Sequence, residues 1–426
     1  MSKLGGVKAP HHKNTANSIP EQIPVPAEVI LPMSMHSGAP ASPIVSAGDY
    51  IKVGQLIAEA NGFVSSPVHA SVSGTVKSVG ESIVITSDGK NEVWEGIKPP
   101  SVSNLSEFLE AVRNSGVVGL GGAGYPTAPK FTLKESVKLD YILVNGAECE
   151  PYITSDTRTM IDDTDHVWNG ILLMKEFLKP KNIVICIENN KPLPIKKFKD
   201  LCKDKEGISV RVLPSLYPQG ERKVLVYNVT GRIVPEGGRL PDIGCIVVNC
   251  TTVSVFAKYI KTGIPLVSKC ITVDGSAVKN PKNIIAPIGT SVRDIFNYCG
   301  LFNNGELNQN IKKITLGGPM MGVAIPDIDT PIVKITNAIL AFSEKNAQPN
   351  EPSACIKCGR CVSKCPMNLM PSLMEEAYEL KKTELLKKLK VEMCAECACC
   401  AFTCPANRHL VQVFLLAKRM LKESKQ

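Results

Sequence analysis

Between Cys355 and Pro405 a four-cysteine run occurs twice. It reads Cys355-Ile-Lys-Cys358-Gly-Arg-Cys361-Val-Ser-Lys-Cys365-Pro366, then Cys394-Ala-Glu-Cys397-Ala-Cys-Cys400-Ala-Phe-Thr-Cys404-Pro405. Nothing else in the chain restricts the fold so strongly. Three cysteines at such short spacing suit a loop wrapped around one centre, and the fourth is carried into the next element. A zinc ribbon needs only paired C-x2-C units, whereas here the whole four-cysteine unit and its proline recur. Disulfides belong to oxidising compartments, and the start Met1-Ser-Lys-Leu-Gly-Gly lacks the apolar stretch of a secretory signal. Metal use in a reducing compartment is the expectation.

Each half follows the C-x2-C-x2-C-x3-C-P spacing and resembles the bacterial two-cluster ferredoxins, in which the fourth cysteine crosses to the other cube. The resemblance implies one [4Fe–4S] cube on Cys355, Cys358, Cys361 and Cys404, and a second on Cys394, Cys397, Cys400 and Cys365. Cys365 and Cys404 would begin helices, with Pro366 and Pro405 in the first turn. Cys399 lies off the ligand spacing. Between the runs, Leu373, Ala377, Leu380, Leu385, Leu386 and Leu389 stand at helical spacing and are expected on one apolar face. Cys186, Cys202, Cys245, Cys250, Cys270 and Cys299 are expected to be small buried hydrophobes.

A chain of 426 residues has room for about three domains. Its formal charge of +9 comes without basic blocks interleaved with aromatics, so no nucleic-acid partner is expected. Lys381, Lys382, Lys387, Lys388 and Lys390 form either a solvated face or a docking face for an acidic redox protein. No apolar run approaches the ~20 residues of a membrane-spanning helix.

Residues 1–30, with Pro10, Pro20, Pro24 and Pro26, read as an extended arm, in which His11-His12 is incidental. Residues 31–98 are short apolar runs broken by glycine, the pattern of a small all-β unit. They resemble the barrel-sandwich hybrid of biotinyl and lipoyl domains. The only lysine between Gly48 and Gly74 is Lys52, and the hairpin tip is Ala60-Asn61-Gly62, so no swinging arm is expected. In 101–262, helical segments (104–112, 164–178, 220–229) alternate with strands (141–144, 183–187, 245–248), which predicts an α/β layer. Residues 263–330 read as a small α+β module, 331–352 as a linker and 353–426 as the cluster domain.

The second chemical feature is Gly119-Leu-Gly121-Gly122-Ala-Gly124-Tyr125-Pro126-Thr127-Ala-Pro129-Lys130. Gly119, Gly121 and Gly124 satisfy G-x-G-x-x-G, but that fingerprint should follow a strand, and the preceding segment reads as a helix ending near Asn114. An ordinary Rossmann site is not expected. The loop can still offer unobstructed N–H groups to phosphates, with Thr127 capping a helix and Lys130 adding a cation. A ligand-free tight turn is the alternative. Asn145-Gly-Ala-Glu148-Cys149-Glu150-Pro151-Tyr152 follows a strand, where α/β sheets place ligands, although either glutamate could simply cap a helix. Tyr217-Pro-Gln-Gly220-Glu221-Arg222 opens another helix, and Asn249 ends another strand. Together they predict one composite site.

These pieces, with Gly5-Gly6-Val7, Ser37-Gly38-Ala39-Pro40 and Gly317-Gly318-Pro319-Met320-Met321-Gly322, resemble the RnfC family over nearly the whole length. That family belongs to the Rnf complex, a membrane-bound ferredoxin:NAD oxidoreductase. Residues 101–262 are also similar to the FMN-binding subunit of respiratory complex I, whose loop reads G-R-G-G-A-G-F-P-T, and 263–330 to its soluble-ligand-binding β-grasp domain. The resemblance implies a multidomain α/β protein: barrel-sandwich hybrid, FMN/NADH-binding domain, β-grasp module and helical two-[4Fe–4S] ferredoxin-like domain. It implies noncovalent FMN held by Gly119, Gly121, Gly122, Gly124, Lys130, Asn145, Glu148, Tyr217, Gly220, Glu221 and Asn249, with NADH reacting near Tyr125 and Glu150. Three positions depart from complex I: Leu120 replaces an arginine, Ala147 an aspartate and Arg222 a glutamate. The implied activity is hydride transfer between NADH and FMN, with single electrons passing through the cubes to or from integral-membrane and ferredoxin-like partner subunits. Na+ or H+ would be moved by those partners, with this chain peripheral on the cytoplasmic side of the membrane. Alternatives are a soluble diaphorase such as a cobalamin reductase, or an electron-relay scaffold without its own nucleotide site.

Overall fold

The computed structural model describes residues 4–348 and 350–424. Its centre is a four-stranded parallel sheet in the order Ile208–Leu213, Asn182–Glu188, Tyr141–Gly146, Cys245–Asn249. Both faces are covered, which is why the strands read as unbroken apolar runs. Ile142, Val144, Ile183 and Ile185 share a core with Phe108, Val167, Ile171 and Phe256 of the flanking helices. Leu143, Val184 and Cys186 pack on the other face with Leu225 and Val226. In chain order the strands run third, second, first, fourth, so the winding reverses between Tyr141–Gly146 and Cys245–Asn249. A crevice opens beyond the strand ends at such a reversal.

The barrel-sandwich unit is two small antiparallel sheets. Strand Glu28–Pro32 pairs with Ser82–Ser87, and the alternation that left Val29, Leu31, Ile83 and Ile85 apolar puts all four in the core at 0% exposure. Each such side chain contributes roughly 1.5–3 kcal/mol of burial.

The third layer is a six-stranded mixed sheet ordered Glu21–Gln22, Lys282–Pro287, Ser268–Asp274, Ala338–Phe342, Lys313–Leu316, Val323–Ile325. Two expectations need correction here. Residues 331–352, read as a linker, contain Ala338–Phe342, a wholly buried strand paired on both sides. The arm 1–30 is extended but not free. Glu21–Gln22 adds a parallel edge strand, Val7 bridges Tyr217, and Thr15 is buried with its carbonyl accepting from Asn283.

The C-terminal region is helical, with two further corrections. Pro366 and Pro405 do not open helices; they follow the short helices Arg360–Ser363 and Cys399–Phe402, while Pro371 opens Pro371–Glu379 and Leu410–Glu423 comes later. Proline shortly after a helix prevents its continuation. The leucine stripe also divides. Met374, Ala377 and Leu386 are buried, but Leu373, Leu380 and Leu385 are exposed. The left-handed backbone of Lys381 separates Pro371–Glu379 from Thr383–Lys388, so the two helices do not share one phase. Among the described residues no helix is long and apolar enough to cross a membrane.

Candidate functional site

Asn145 and Asn249 are register partners at the carboxyl ends of the two strands that flank the winding reversal. Asn249 caps helix Cys250–Thr262, accepting from Thr251 N at 3.0 Å and Thr252 N at 3.2 Å, and its amide donates to Asp156 Oδ2 at 2.7 Å. Asn145 donates to the Gly220 carbonyl at 3.0 Å, tying the Tyr217–Glu221 turn to the strand end. Glu221 caps helix Arg222–Thr230 through Lys223 N and Val224 N. Sequence-selected residues from three segments thus border one crevice.

The glycine loop follows helix Leu105–Asn114, as expected, and is closed by a Val118–Pro126 bridge, Gly119 N to Tyr125 O at 2.9 Å, and Gly124 N to Gly119 O at 3.1 Å. Gly121 and Gly122 are exposed, and Gly121 lies against the Asn249 side chain. Leu120 points into the core with its N–H on Thr252 Oγ1, so the position that is arginine in complex I is an apolar anchor here. Lys130 donates to the Val247 carbonyl at 3.3 Å; burial and the nearby Arg222 charge push its pKa down to about 8. Arg222, exposed at the start of its helix, brings a second positive charge near Lys130. Tyr125 is half-buried at the loop's end.

The two glutamates divide their work. Glu148, itself at φ +49°, accepts from Asp156 N at 2.6 Å, Thr157 N at 3.2 Å and Thr157 Oγ1 at 2.5 Å. It caps helix Ser155–Asp162, the plainer of its two expected roles. Glu150 accepts from Met320 N at 3.1 Å and Met321 N at 2.9 Å, which engages both oxygens and anchors the 317–322 turn. A Cβ at Gly318 would collide with this carboxylate and force it to move. Burial pushes the Glu150 pKa up to about 7, against the opposing pull of the two amides.

Sequence reasoning missed Lys13. Its Nζ donates to the carbonyls of Glu148 (2.8 Å), Glu150 (2.8 Å) and Ile153 (2.5 Å). His12 stacks on Tyr152 with ring centroids 4.7 Å apart. Lys191, also missed, donates to the Ala147 carbonyl at 2.7 Å and pairs with Glu188 at 3.1 Å, all buried. Ala147 therefore contributes backbone where complex I has a carboxylate.

At the C-terminal end the two cysteine runs adopt the same backbone. Lys357, Gly359 and Asn368 have positive φ, and so do Glu396, Ala398 and Asn407 at the corresponding positions. Left-handed geometry is uncommon for non-glycine residues, so its threefold recurrence marks a true structural repeat. Cys365, Cys394, Cys397, Cys399 and Cys400 line one small cavity of about 20 Å³, together with Met374 and Phe414. Among the described residues no three of these side chains converge as a single-ion site would require. Cys399 is buried, its thiol turned to the Tyr217 carbonyl at 3.7 Å. Cys355 and Cys358 are exposed, Cys361 and Cys404 partly so.

A seam joins the two regions. Val7, Ala9, Tyr217, Cys397 and Cys399 form one apolar cluster with Cys149 and Met320 against it. Gly5 fits against the Cys365 backbone so closely that a Cβ would collide with its carbonyl.

The family model described as the Nuo51 FMN-binding domain matches residues 112–257, the RnfC barrel sandwich hybrid domain matches 1–100, and the SLBB domain matches 270–324. The fold resembles a chain of an NAD+-reducing [NiFe]-hydrogenase in the H2-reduced state, with TM-score 0.50 and 15% identity over 75% of this chain and 61% of that one. These domains define an FMN-domain electron-transfer protein. At the sequence level, the chain is 40% identical over 403 residues (89% of this chain, 86% of the relative) to the C subunit of the proton-translocating ferredoxin:NAD(+) oxidoreductase complex of Clostridium ljungdahlii. It is 38% identical over 381 residues (86% and 85%) to the C subunit of the Na(+)-translocating complex from Acetobacterium woodii. The chain belongs to the RnfC family of Rnf-complex subunits.

Proposed function

We propose that this chain is the NADH-reacting subunit of a membrane-bound, ion-translocating ferredoxin:NAD+ oxidoreductase, with noncovalent FMN in the crevice beside Asn145 and Asn249. Two [4Fe–4S] cubes are assigned to the doubled cysteine run. The observation that carries this reading is the seam at Tyr217, where Cys397, assigned here to a cube, shares one apolar cluster with Tyr217 and has Cys149 packed against it. Bound FMN supplies the conversion between a hydride and single electrons.

The chain's own residues would hold and orient it. Gly119, Gly121, Gly122 and Gly124 present a loop that lets a ligand approach the backbone, and Lys130 and Arg222 offset anionic charge. Thr127, expected to cap helix Thr127–Phe131, is its first residue and makes no cap bond; its Oγ1 and Gln219 Nε2 are buried without a hydrogen-bond partner, and a ligand in the crevice would satisfy such atoms. Asn145, Gly220 and Glu221 shape one wall, and Glu148 and Asn249 another. Tyr125 and Glu150 are assigned to the nicotinamide side, with Glu150 acting through the 317–322 turn it anchors.

Cys355, Cys358, Cys361 and Cys404 would hold one cube, and Cys394, Cys397, Cys400 and Cys365 the other. The cavity shared by the second set, and the backbone repeat that gives the first set the same loop, support this pairing. Ion movement is assigned to integral-membrane partners, and electron exchange to ferredoxin-like partners at the cytoplasmic face.

Anaerobically prepared protein assayed for iron, acid-labile sulfide and FMN tests the reading. About eight irons and one FMN are expected, with NADH bleaching flavin and cluster absorbance. Bound FMN that NADH leaves unbleached would overturn the assignment of NADH chemistry to this chain.

A further inference from the structure

The barrel-sandwich unit carries no lysine at its hairpin tip, yet it contacts the glycine loop through specific hydrogen bonds. Ser37 N donates to the Gly124 carbonyl at 2.9 Å, and Ser37 Oγ donates to the Ala123 carbonyl at 3.0 Å. Ala123 is the last exposed residue of the loop, and Gly124 beside it is buried. At the other end, the Gly116 carbonyl accepts from Lys334 Nζ at 2.7 Å and from Ser66 Oγ at 3.1 Å. Lys334 is 1% exposed and also donates to Pro67 O at 2.6 Å and Ser66 Oγ at 3.1 Å.

Behind Ser37 the barrel-sandwich backbone is fixed. His36 Nε2 accepts from Ser66 N at 3.1 Å, and Ala39 N donates to Val64 O at 3.0 Å. On the far side, Ile335 packs against Gly124, one residue along from Lys334. Burial pushes the Lys334 pKa down to about 7, and a buried amine keeps its place only where hydrogen bonds satisfy it. Here its three acceptors come from the barrel-sandwich unit and the approach to the glycine loop, so it rivets the two together.

We propose that the barrel-sandwich unit is a positioning module for the nucleotide site: Ser37 and Lys334 hold the glycine loop at both ends in the shape that receives FMN and admits NADH. This inference rests on the flavin reading given above. Ser37 is a positioning residue, touching the loop rather than the reacting atoms. It also assigns the unit a task that needs no cofactor of its own.

The test compares the full-length parent with Ser37→Ala and Ser37→Thr, all prepared anaerobically, by FMN titration and NADH-dependent reduction of an artificial acceptor. Losing one hydrogen bond of ordinary strength weakens a held conformation by roughly 3- to 10-fold. FMN dissociation and the KM for NADH should rise by that factor in Ser37→Ala. Iron content and kcat at saturating FMN and NADH should stay near parental, and Ser37→Thr, which keeps the hydroxyl, should restore both constants. Lys334→Met provides a second probe from the opposite end and should give the same KM-against-kcat split. Parent-like FMN affinity and KM in both Ser37→Ala and Lys334→Met would overturn the proposal while leaving the flavin reading intact. A parent that binds no FMN would overturn the flavin reading and the proposal with it.

Discussion

The Nζ of Lys13 lies 2.8 Å from the carbonyl oxygen of Glu148, a contact spanning 135 positions of sequence. With the Glu150 and Ile153 carbonyls it gathers three acceptors around one ammonium, inside a turn where Glu148 and Tyr152 both take left-handed backbone. Non-glycine residues hold such geometry only when their surroundings over-determine it. Lys13→Met should relax the turn while keeping the side chain's bulk. The expected outcome is FMN binding at least about tenfold weaker, equivalent to one charge-assisted hydrogen bond of ~1.5 kcal/mol, with iron content unchanged. Fluorescence titration with FMN measures it, and an affinity within twofold of the parent would sink the idea.

Cys399 and Cys397 are two residues apart and are assigned opposite fates. Both border the cavity that Cys365, Cys394 and Cys400 line, but the Cys399 thiol faces the Tyr217 carbonyl, whereas Cys397 stands at ligand spacing. Cys399→Ser should keep about eight irons and Cys397→Ser about four. Iron and sulfide analysis of anaerobic protein decides it, and equal losses in both variants would refute the ligand assignment.

Glu150 should make stability depend on pH. Burial lifts its folded pKa from 4.5 to about 7, so between those values the folded state binds more protons than the unfolded one. Its contribution is full below the unfolded pKa and is lost as pH rises through about 7. The loss is at most on the order of 3 kcal/mol. Glu150→Gln cannot titrate, so the parent's advantage over it in anaerobic thermal melts should shrink from pH 5.5 to 7.5 and then level off. A gap that widens over that range would contradict the buried-carboxyl assignment.

The features legible in the sequence are those whose chemistry lies within a short window. The cysteine spacing, the glycine loop and the apolar strands around Tyr141, Ile183 and Cys245 each carry their own local signal. Lys13 carries none, because its acceptors are carbonyls brought to it by a distant turn. Ala338–Phe342 was hidden by its polar and proline-rich surroundings; its apolar run gains meaning only between two strands distant in sequence. The leucine stripe failed for a geometric reason, since left-handed Lys381 resets the helical phase between Leu373 and Leu385. The sequence marks Glu148 and Glu150 together, but which one caps a helix and which anchors a turn depends on Thr157 and Met320. No spacing rule connects those residues.

The Gly5-Gly6-Val7 segment offers a way to separate the two cofactor regions. Gly5 sits against the Cys365 carbonyl, and Val7 pairs with Tyr217 through N–H···O contacts of 2.8 and 3.0 Å. The arm is therefore inserted where the cysteine domain meets the crevice. Gly5→Val adds atoms where backbone already stands, and overpacking of this kind costs typically ~1–3 kcal/mol. The arm around Gly5 or the Cys365 loop must shift, while Asn145 and Asn249, carried on the central sheet, stay in place. Stopped-flow mixing with NADH should show flavin bleaching at close to the parental rate and cluster absorbance decaying several-fold more slowly, with iron still near eight per chain. If both signals keep their parental rates, the Tyr217 seam does not couple the two sites. If flavin bleaching slows as well, the arm acts on the crevice itself, through Lys13 rather than through Gly5.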